Sequence, residues 1–415
     1  MEIENAKASH GQSDKPKGAK RSLSYISPVA GERREAAALL RLNSVSSNRK
    51  FAMRIIKTLF TRVTVVISVA ILLVGWSGPL RGAERGAEQI YKDLAKLSEA
   101  ERAKRLEEGA RKEGKLNFVH TWRGQIAKDF VKAFEKHYSS IKVEMSDLGS
   151  QDAAERFIAE ERTGRHLTDI LSLAVPDLAV VLRQNLIARY PTPATKKILK
   201  QYRGFIDAED RWTPWYWSEH GISYNTDLVP AAQVPKDWFD LCKPNFKGQV
   251  SFDPSETRFL AGLYVMWGEE KTKQWLKCIG ENQPIVQTGH TQRLELMLTG
   301  DHAVQGDNYL YQGIEAQRKN PKVPYKIVYT APILAFAGSM VINKNTQNPY
   351  AAALLTDWSL SEDAQKLVSG VLRGPITIKH PYLPDDVKVI TYNIVSEDVT
   401  NRLHEAWKQY IGRAK

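Results

Sequence analysis

Lys115-Leu116-Asn117-Phe118-Val119-His120, Ile141-Lys142-Val143-Glu144-Met145-Ser146 and Thr168-Asp169-Ile170-Leu171-Ser172-Leu173-Ala174 are three short apolar segments separated by two longer stretches of a different period. Leu116, Phe118 and Val119 carry the first as a strand. Ile141, Val143 and Met145 alternate in the second, and the third is nearly continuous. Between them, 124–137 places Ile126, Phe130, Val131 and Phe134 on one side of a helix. Residues 151–162 do the same with Ala154, Phe157 and Ile158. Pro176 and Asp177 then open another helix carrying Leu178, Val181 and Leu182. Strand and helix alternate three times in about 70 residues. That pattern predicts a largely parallel sheet covered by helices, an α/β fold.

In such sheets ligands sit beyond the C-terminal ends of the strands, near helix N-termini. The residues at those ends are Thr121-Trp122-Arg123-Gly124, Leu148-Gly149-Ser150-Gln151 and Ala174-Val175-Pro176. Small, polar and aromatic groups therefore gather where a groove would be.

Downstream, 209–226 holds Trp212, Trp215, Trp217, Tyr216, Tyr224 and His220. Trp212 and Trp215 suit a core, whereas Trp217 and Tyr224 lie closer to a crossing between lobes. A second β/α unit follows. Gly248-Gln249-Val250-Ser251-Phe252 reads as a strand leaving at Asp253-Pro254-Ser255-Glu256-Thr257, again polar at its exit. Helices are predicted over 257–268, 270–279 and 291–299. The strand Ala303-Val304-Gln305 runs into Gly306-Asp307-Asn308-Tyr309-Leu310-Tyr311. Strands at 325–329 and 338–342 return the chain, and helices near 348–358, 361–370 and 398–411 close it.

Upstream, 87–110 carries Ile90, Leu94, Leu97, Ala103, Leu106 and Ala110 at helical spacing. Before it the composition changes. Of the net charge of +12, eight units fall within the first 62 residues, leaving +4 for the remaining 353. The high pI is thus a property of the leader and argues against a nucleic-acid partner. Residues 1–52 read as disordered, or as the product of a mis-assigned start. Met53-Arg54-Ile55-Ile56-Lys57 and Arg62 precede the 14-residue largely apolar run Val63–Trp76, which ends in small residues. This is the layout of a secretory signal over 53–77, with cleavage after Ser77. The alternative is a single transmembrane helix over the uncharged stretch 63–80. Either way the expected compartment is the periplasm. The two cysteines, Cys242 and Cys278, lie in the exported part. They read either as a disulfide, if the two helix ends carrying them face each other, or as buried free thiols.

Several stretches resemble a known family. Glu113-Gly114-Lys115-Leu116-Asn117-Phe118-Val119 looks like its first strand, and Gly221-Ile222-Ser223-Tyr224-Asn225-Thr226 like its crossing strand. Pro235-Lys236-Asp237-Trp238-Phe239-Asp240-Leu241 with Lys243-Pro244-Asn245-Phe246-Lys247-Gly248, and Asn343 to Ser369, look like later segments. The family is that of the type II periplasmic solute-binding proteins of ATP-driven (ABC) importers, in the branch similar to iron(III)-binding proteins. The resemblance covers about residues 110–375. It implies a two-lobe periplasmic binding protein type II fold with an interlobe cleft. The N-terminal helix would occupy 78–114, lobe 1 would combine 115–216 with 340–415, and lobe 2 with its crossing strands would hold 217–339. It also implies an inner-membrane ABC permease as partner, a small-molecule solute and a monomer, with no cofactor.

The iron branch commonly uses adjacent tyrosines. Here Tyr309 falls on the first such position, Leu310 on the second and Tyr311 one beyond, while the first-lobe position reads Thr121-Trp122 with His120 adjacent. Ferric iron wants several anionic oxygen donors, so this pattern favours an organic solute. Trp122, Trp217 and Tyr309 would wall it, with Tyr311 beside them. Thr121, Arg123, Ser150, Ser172, Ser255 and Thr257 would bond to it. Helix N-termini at 123, 151 and 257 favour an anionic group. The alternatives are a ferric iron-binding protein and a membrane-anchored ligand-sensing ectodomain. No Gly-x-Ser-x-Gly elbow, phosphate-binding Gly-Lys loop or His-Glu-x-x-His occurs, and the histidines are scattered, so an enzyme is not expected.

Overall fold

The computed structural model describes residues 86–122 and 124–412. The leader 1–52, the signal-like run 53–77 and Arg123 lie outside them. The transmembrane-helix reading is corrected: no helix among the described residues is long and apolar enough to cross a membrane. The stretch 63–80 that prompted it also lies outside the described residues.

The single helix expected over 87–110 is two, α1 (Ala87–Leu94) and α2 (Glu99–Glu113). Ser98 explains the break. Its Oγ accepts from the Glu101 amide at 3.4 Å, and the Glu101 carboxylate accepts from the Ser98 amide at 3.2 Å. This capping box starts a helix afresh.

The βαβ series then runs as β1 (Lys115–His120), α3 (Gln125–His137), β2 (Lys142–Asp147), α4 (Ser150–Arg162) and β3 (Ile170–Ser172). β1 lies between β2 and β3, parallel to both. After the short α5 (Ala179–Leu182) the chain enters β4 (Thr213–Asn225), in which every residue is buried. The second series is β5 (Val250–Phe252), α6 (Phe259–Trp267), α7 (Glu269–Glu281), β6 (Ile285–Val286), α8 (His290–Thr299), β7 (Val304–Tyr309) and α9 (Leu310–Lys319). β5 lies parallel to both β6 and β7. β8 (Tyr325–Ile327) and β9 (Ile333–Ile342) lead back to α10 (Pro349–Ser359), α11 (Glu362–Gly370), β10 (Val389–Tyr392) and α12 (Glu397–Tyr410).

β4 and β9 are the crossing strands. They pair antiparallel from Thr213 opposite Met340 to His220 opposite Leu334. β9 also joins β3, and β4 continues past His220 along β7 and β8. Hydrogen bonding is therefore unbroken in the order β2-β1-β3-β9-β4-β7-β5-β6. Apolar packing is not. One cluster gathers Phe130, Trp215, Trp217 and Trp358, and a second gathers Trp238, Phe252, Phe259 and Trp275. Two lobes thus share two strands, and a cleft opens between them.

One expected boundary shifts. α10 and α11 belong to the first cluster, as do Ile376 and Leu383 beyond them, but the last helix does not. Val399, Leu403, Ala406 and Trp407 form the apolar stripe of α12, and all are buried in the second cluster. The Trp407 ring lies 5.8 Å from Phe252 and 5.6 Å from Phe259. Arg402 clamps Glu269 of α7 through two bonds of 2.8 Å. In the same lobe Cys242 and Cys278 are joined as a disulfide, with Cα atoms 5.7 Å apart.

Candidate functional site

The strand exits of both lobes face the cleft, so the residues just past β1, β5 and β7 meet there. At its centre is Glu256, 2 % exposed. Its Oε2 accepts from the Tyr309 hydroxyl at 2.9 Å and lies 3.6 Å from His290 Nε2. Its Oε1 lies 3.1 Å from Arg258 Nε and 3.8 Å from His220 Nε2. Burial pushes the Glu256 carboxyl up, but Arg258 and His220 together outweigh it and hold the group well below the usual carboxylate range. The Tyr309 phenol moves the other way. Burial, then the charge of Glu256, raises it well above its ordinary value, so Tyr309 holds its proton and donates it. Burial lowers the His220 imidazole, which is therefore neutral near pH 7. His220 Nε2 is buried with no hydrogen-bond partner among the described residues. The Tyr309 ring is enclosed by His220 at 4.8 Å, His290 at 4.7 Å and Tyr311 at 5.8 Å.

A second layer fixes these groups. Arg293 and Asp307, both fully buried, pair at 2.7 Å. Asp307 also accepts from the Asp253 amide at 2.8 Å, and Asp253 accepts from Gly289 at 2.7 Å. The network ties the starts of α6 and α8 to β7, the three places from which Glu256, His290 and Tyr309 come. Behind Tyr311, its amide donates to Glu219 at 3.2 Å, and the Tyr382 hydroxyl donates to the same carboxylate.

The cleft widens on one flank of the Glu256 cluster into a cavity of about 870 Å³. Ser150, Ser255 and Thr257 line it, together with Asp177, Arg258 and His404. Ser255 is already engaged with Asp253 at 2.6 Å, and Thr257 with His404 at 2.7 Å. Thr121, Trp122 and Tyr311 line a separate cavity of about 550 Å³.

Two expected ligand contacts are corrected. Ser172 is 1 % exposed and accepts from the Trp215 indole at 3.1 Å. Trp217 is fully buried, packs on Tyr202 and His380, and donates to the Pro375 carbonyl at 3.0 Å. Side chains alternate along β4, which turns Trp217 into the first lobe's core while Ser218 and His220 point the other way. Arg123 lies outside the described residues. The helix starts also move slightly, to Gln125, Ser150 and Phe259.

His220, Arg258, His290 and Arg373 come to the cleft without having been expected there. Arg258 directly follows the expected Thr257, and His290 follows the Gly289 turn, so strand-exit position was a usable signal for both. Among the described residues, no group of three His, Cys, Asp or Glu side chains is placed to hold a metal ion.

Known proteins share this architecture. A model of the bacterial extracellular solute-binding protein family matches residues 168–398, more than half of the chain, and the protein belongs to that family. The Fe(3+)-binding periplasmic protein of Serratia marcescens is 27% identical over 160 residues, which cover 38% of this chain and 46% of that one. The match thus spans less than half the length of that relative. Iron-bound HitA from Pseudomonas aeruginosa superposes with a TM-score of 0.60 at 17% identity, over 72% of this chain and 99% of that one. AfuA from Actinobacillus pleuropneumoniae, with exogenous fructose-6-phosphate bound, gives 0.54 at 19% identity over the same shares. These two likenesses speak to the fold. Membership of the family makes the protein an extracellular solute-binding protein.

Proposed function

We propose that the solute is ferric iron, taken at Tyr309 with Glu256 and the flanking histidines, in a monomer whose lobes close over it. The observation that carries this reading is the buried, unpartnered His220 Nε2 aimed at a carboxylate that already holds a phenol. Loss of the phenol's proton would leave a phenolate beside a carboxylate, with the His220 and His290 imidazoles flanking the pair. Hard Fe(III) accepts the oxygen donors readily. The described side chains form a short set, so the rest of the metal's shell comes from outside the protein. The iron named in the Serratia relative and in HitA supports the same reading.

A second reading, a phosphorylated or carboxylated organic solute without metal, is favoured by Arg258 in the cleft and by the phosphosugar in AfuA. Visible spectroscopy separates the two. Iron at Tyr309 gives a tyrosinate charge-transfer band with stoichiometric metal, and Tyr309→Phe abolishes it. A protein that stays colourless with ferric iron, yet binds a sugar phosphate in calorimetry, is the organic-solute receptor.

A further inference from the structure

β4 changes partners at one point. Its pairing with β9 runs up to His220 opposite Leu334, and its pairing with β7 starts at His220 opposite Tyr309. The two residues at that point leave on opposite faces of the sheet. His220 packs its ring 4.8 Å from that of Tyr309. Glu219 reaches the same turn from the other face, where its Oε1 accepts from the Tyr311 amide at 3.2 Å. That amide is one of the first N–H groups of α9, which have no partner within the helix. Tyr309 is the N-cap residue of α9, but its side chain makes no capping bond, and its hydroxyl goes to Glu256. Glu219, 92 positions away in sequence, supplies the cap instead. The same carboxyl oxygen accepts from the Tyr382 hydroxyl, and the Tyr382 carbonyl accepts from the Tyr329 hydroxyl at 3.3 Å. Two residues further along β4, a Cβ on Gly221 would lie 2.8 Å from the Leu310 side chain, so strand and turn are in contact. Glu219 is fully buried, and its Oε2 has no hydrogen-bond partner among the described residues. A half-paired acid is a costly way to fill a core, and an apolar side chain would fill it with less penalty. What Glu219 adds is an acceptor aimed at the tyrosine turn.

We propose that Glu219 is a positioning residue for solute capture: by capping α9 from the crossing strand, it sets where Tyr309 stands beside Glu256. The role in capture rests on the ferric reading, whereas the cap itself does not. Tyr309 is the last residue of β7 and Leu310 the first of α9, so a shift of the helix start moves the phenol directly. Neither β4 nor the segment carrying Tyr382 belongs to the β5–β7 series. The tyrosine turn is therefore referenced to the strand on which the two lobes are joined, and a movement about that strand carries Tyr309 with it.

The test combines amide hydrogen exchange on the full chain, read by mass spectrometry without solute, with titration by ferric iron. In Glu219→Ala the amides of 309–313 should exchange roughly tenfold faster or more, while β5 and α7 keep the parent's protection. The affinity for iron should fall roughly tenfold or more in the same variant. Glu219→Gln keeps an acceptor oxygen and should restore most of both. Tyr382→Phe leaves the Tyr311 bond in place and should have the smaller effect. Circular dichroism melts establish that each variant is folded. Unchanged exchange at 309–313 in folded Glu219→Ala overturns the proposal, as does a loosened turn with undiminished iron affinity. Protection lost throughout the second lobe and not restored by Glu219→Gln marks a merely structural residue and overturns it as well. A parent protein that takes up no iron defeats the ferric reading, and the exchange at 309–313 still decides whether Glu219 holds the turn.

Discussion

The Tyr309 hydroxyl donates to Glu256 Oε2 at 2.9 Å, so the phenol's proton occupies the side of the carboxylate that faces the ring. A metal entering this pair must displace that proton. Burial and Glu256 hold the phenol well above its ordinary value, so the proton is released only by binding. Iron affinity should therefore fall as pH falls, with at least one proton released per iron. Calorimetry in two buffers of different ionisation enthalpy measures the number, and a value of zero contradicts a phenolate ligand.

Tyr309→Ala should remove this contact and weaken solute binding by about 1–3 kcal/mol whether the solute is metallic or organic. Tyr309→Phe separates the two: it abolishes a phenolate ligand but largely keeps a stacking wall. Equilibrium binding of both variants under one buffer condition is the measurement.

Trp217 is predicted to be a stability residue. It is fully buried and packs against Tyr202, Phe205 and His380, and its backbone exchanges bonds of 2.8 and 2.9 Å with Gly374. Trp217→Ala should cost about 3–5 kcal/mol in denaturant unfolding. Where the variant still folds, its solute affinity should be close to that of the parent. A large affinity loss with unchanged stability would put Trp217 back on the wall of the cleft.

Glu113 gives a pH prediction. Its two carboxylate oxygens accept from the Tyr350 and Ala351 amides at 3.1 and 2.7 Å, capping α10 from the end of α2. Burial nevertheless raises the carboxyl to about 7, against the pull of those two bonds. The native protein thus keeps a proton there that the unfolded chain, with an ordinary carboxyl, has already lost. Stability should fall as pH rises from about 4.5 to about 7, where the unfolded state binds fewer protons. Glu219, raised to about 7 by burial, adds to the same slope. Glu113→Gln should flatten part of the decline in Tm across that window, and an unaltered slope would contradict the assignment.

The Cys242–Cys278 bond closes a sequence separation of 36 residues within the second lobe. The chain-entropy account makes it worth about 3–4 kcal/mol. Thiol titration of the denatured, unreduced protein should find no free thiol, and a reductant should lower the denaturant midpoint. Two free thiols, or a midpoint indifferent to reductant, would count against it.

Much of the architecture is legible in sequence because period and strand length coincide there. Leu116, Phe118, Val143 and Ile170 lie on β1, β2 and β3 as read, and the parallel order follows from the intervening helices. β6 and β10 are two and four residues long, too short for a period to show, and both depend on neighbours supplied from elsewhere in the chain. Ser98 starts a second helix through side-chain bonds that an apolar-spacing argument ignores. The placement of Tyr309, Ser255 and Thr257 at the cleft was legible, because a strand exit sets position. It was misread at Ser172 and Trp217, whose side-chain direction depends on which face of a strand each lobe covers. His220 and Arg373 depend on tertiary placement: one sits in mid-strand where the lobes divide, and the other in a loop more than 60 residues beyond the tyrosine ring it stacks on.

The return of α12 to the second lobe bears on how the molecule is assembled during export. A chain that emerges N-terminus first presents β5, α6 and α7 early, yet their core still lacks Trp407, and Glu269 still lacks Arg402. β9, α10 and α11 of the first lobe follow, and all of them precede α12 in the chain. The second lobe is therefore completed last, by the final turns of the chain. Until those turns arrive, a half-built apolar face stands open in the compartment where the protein must fold.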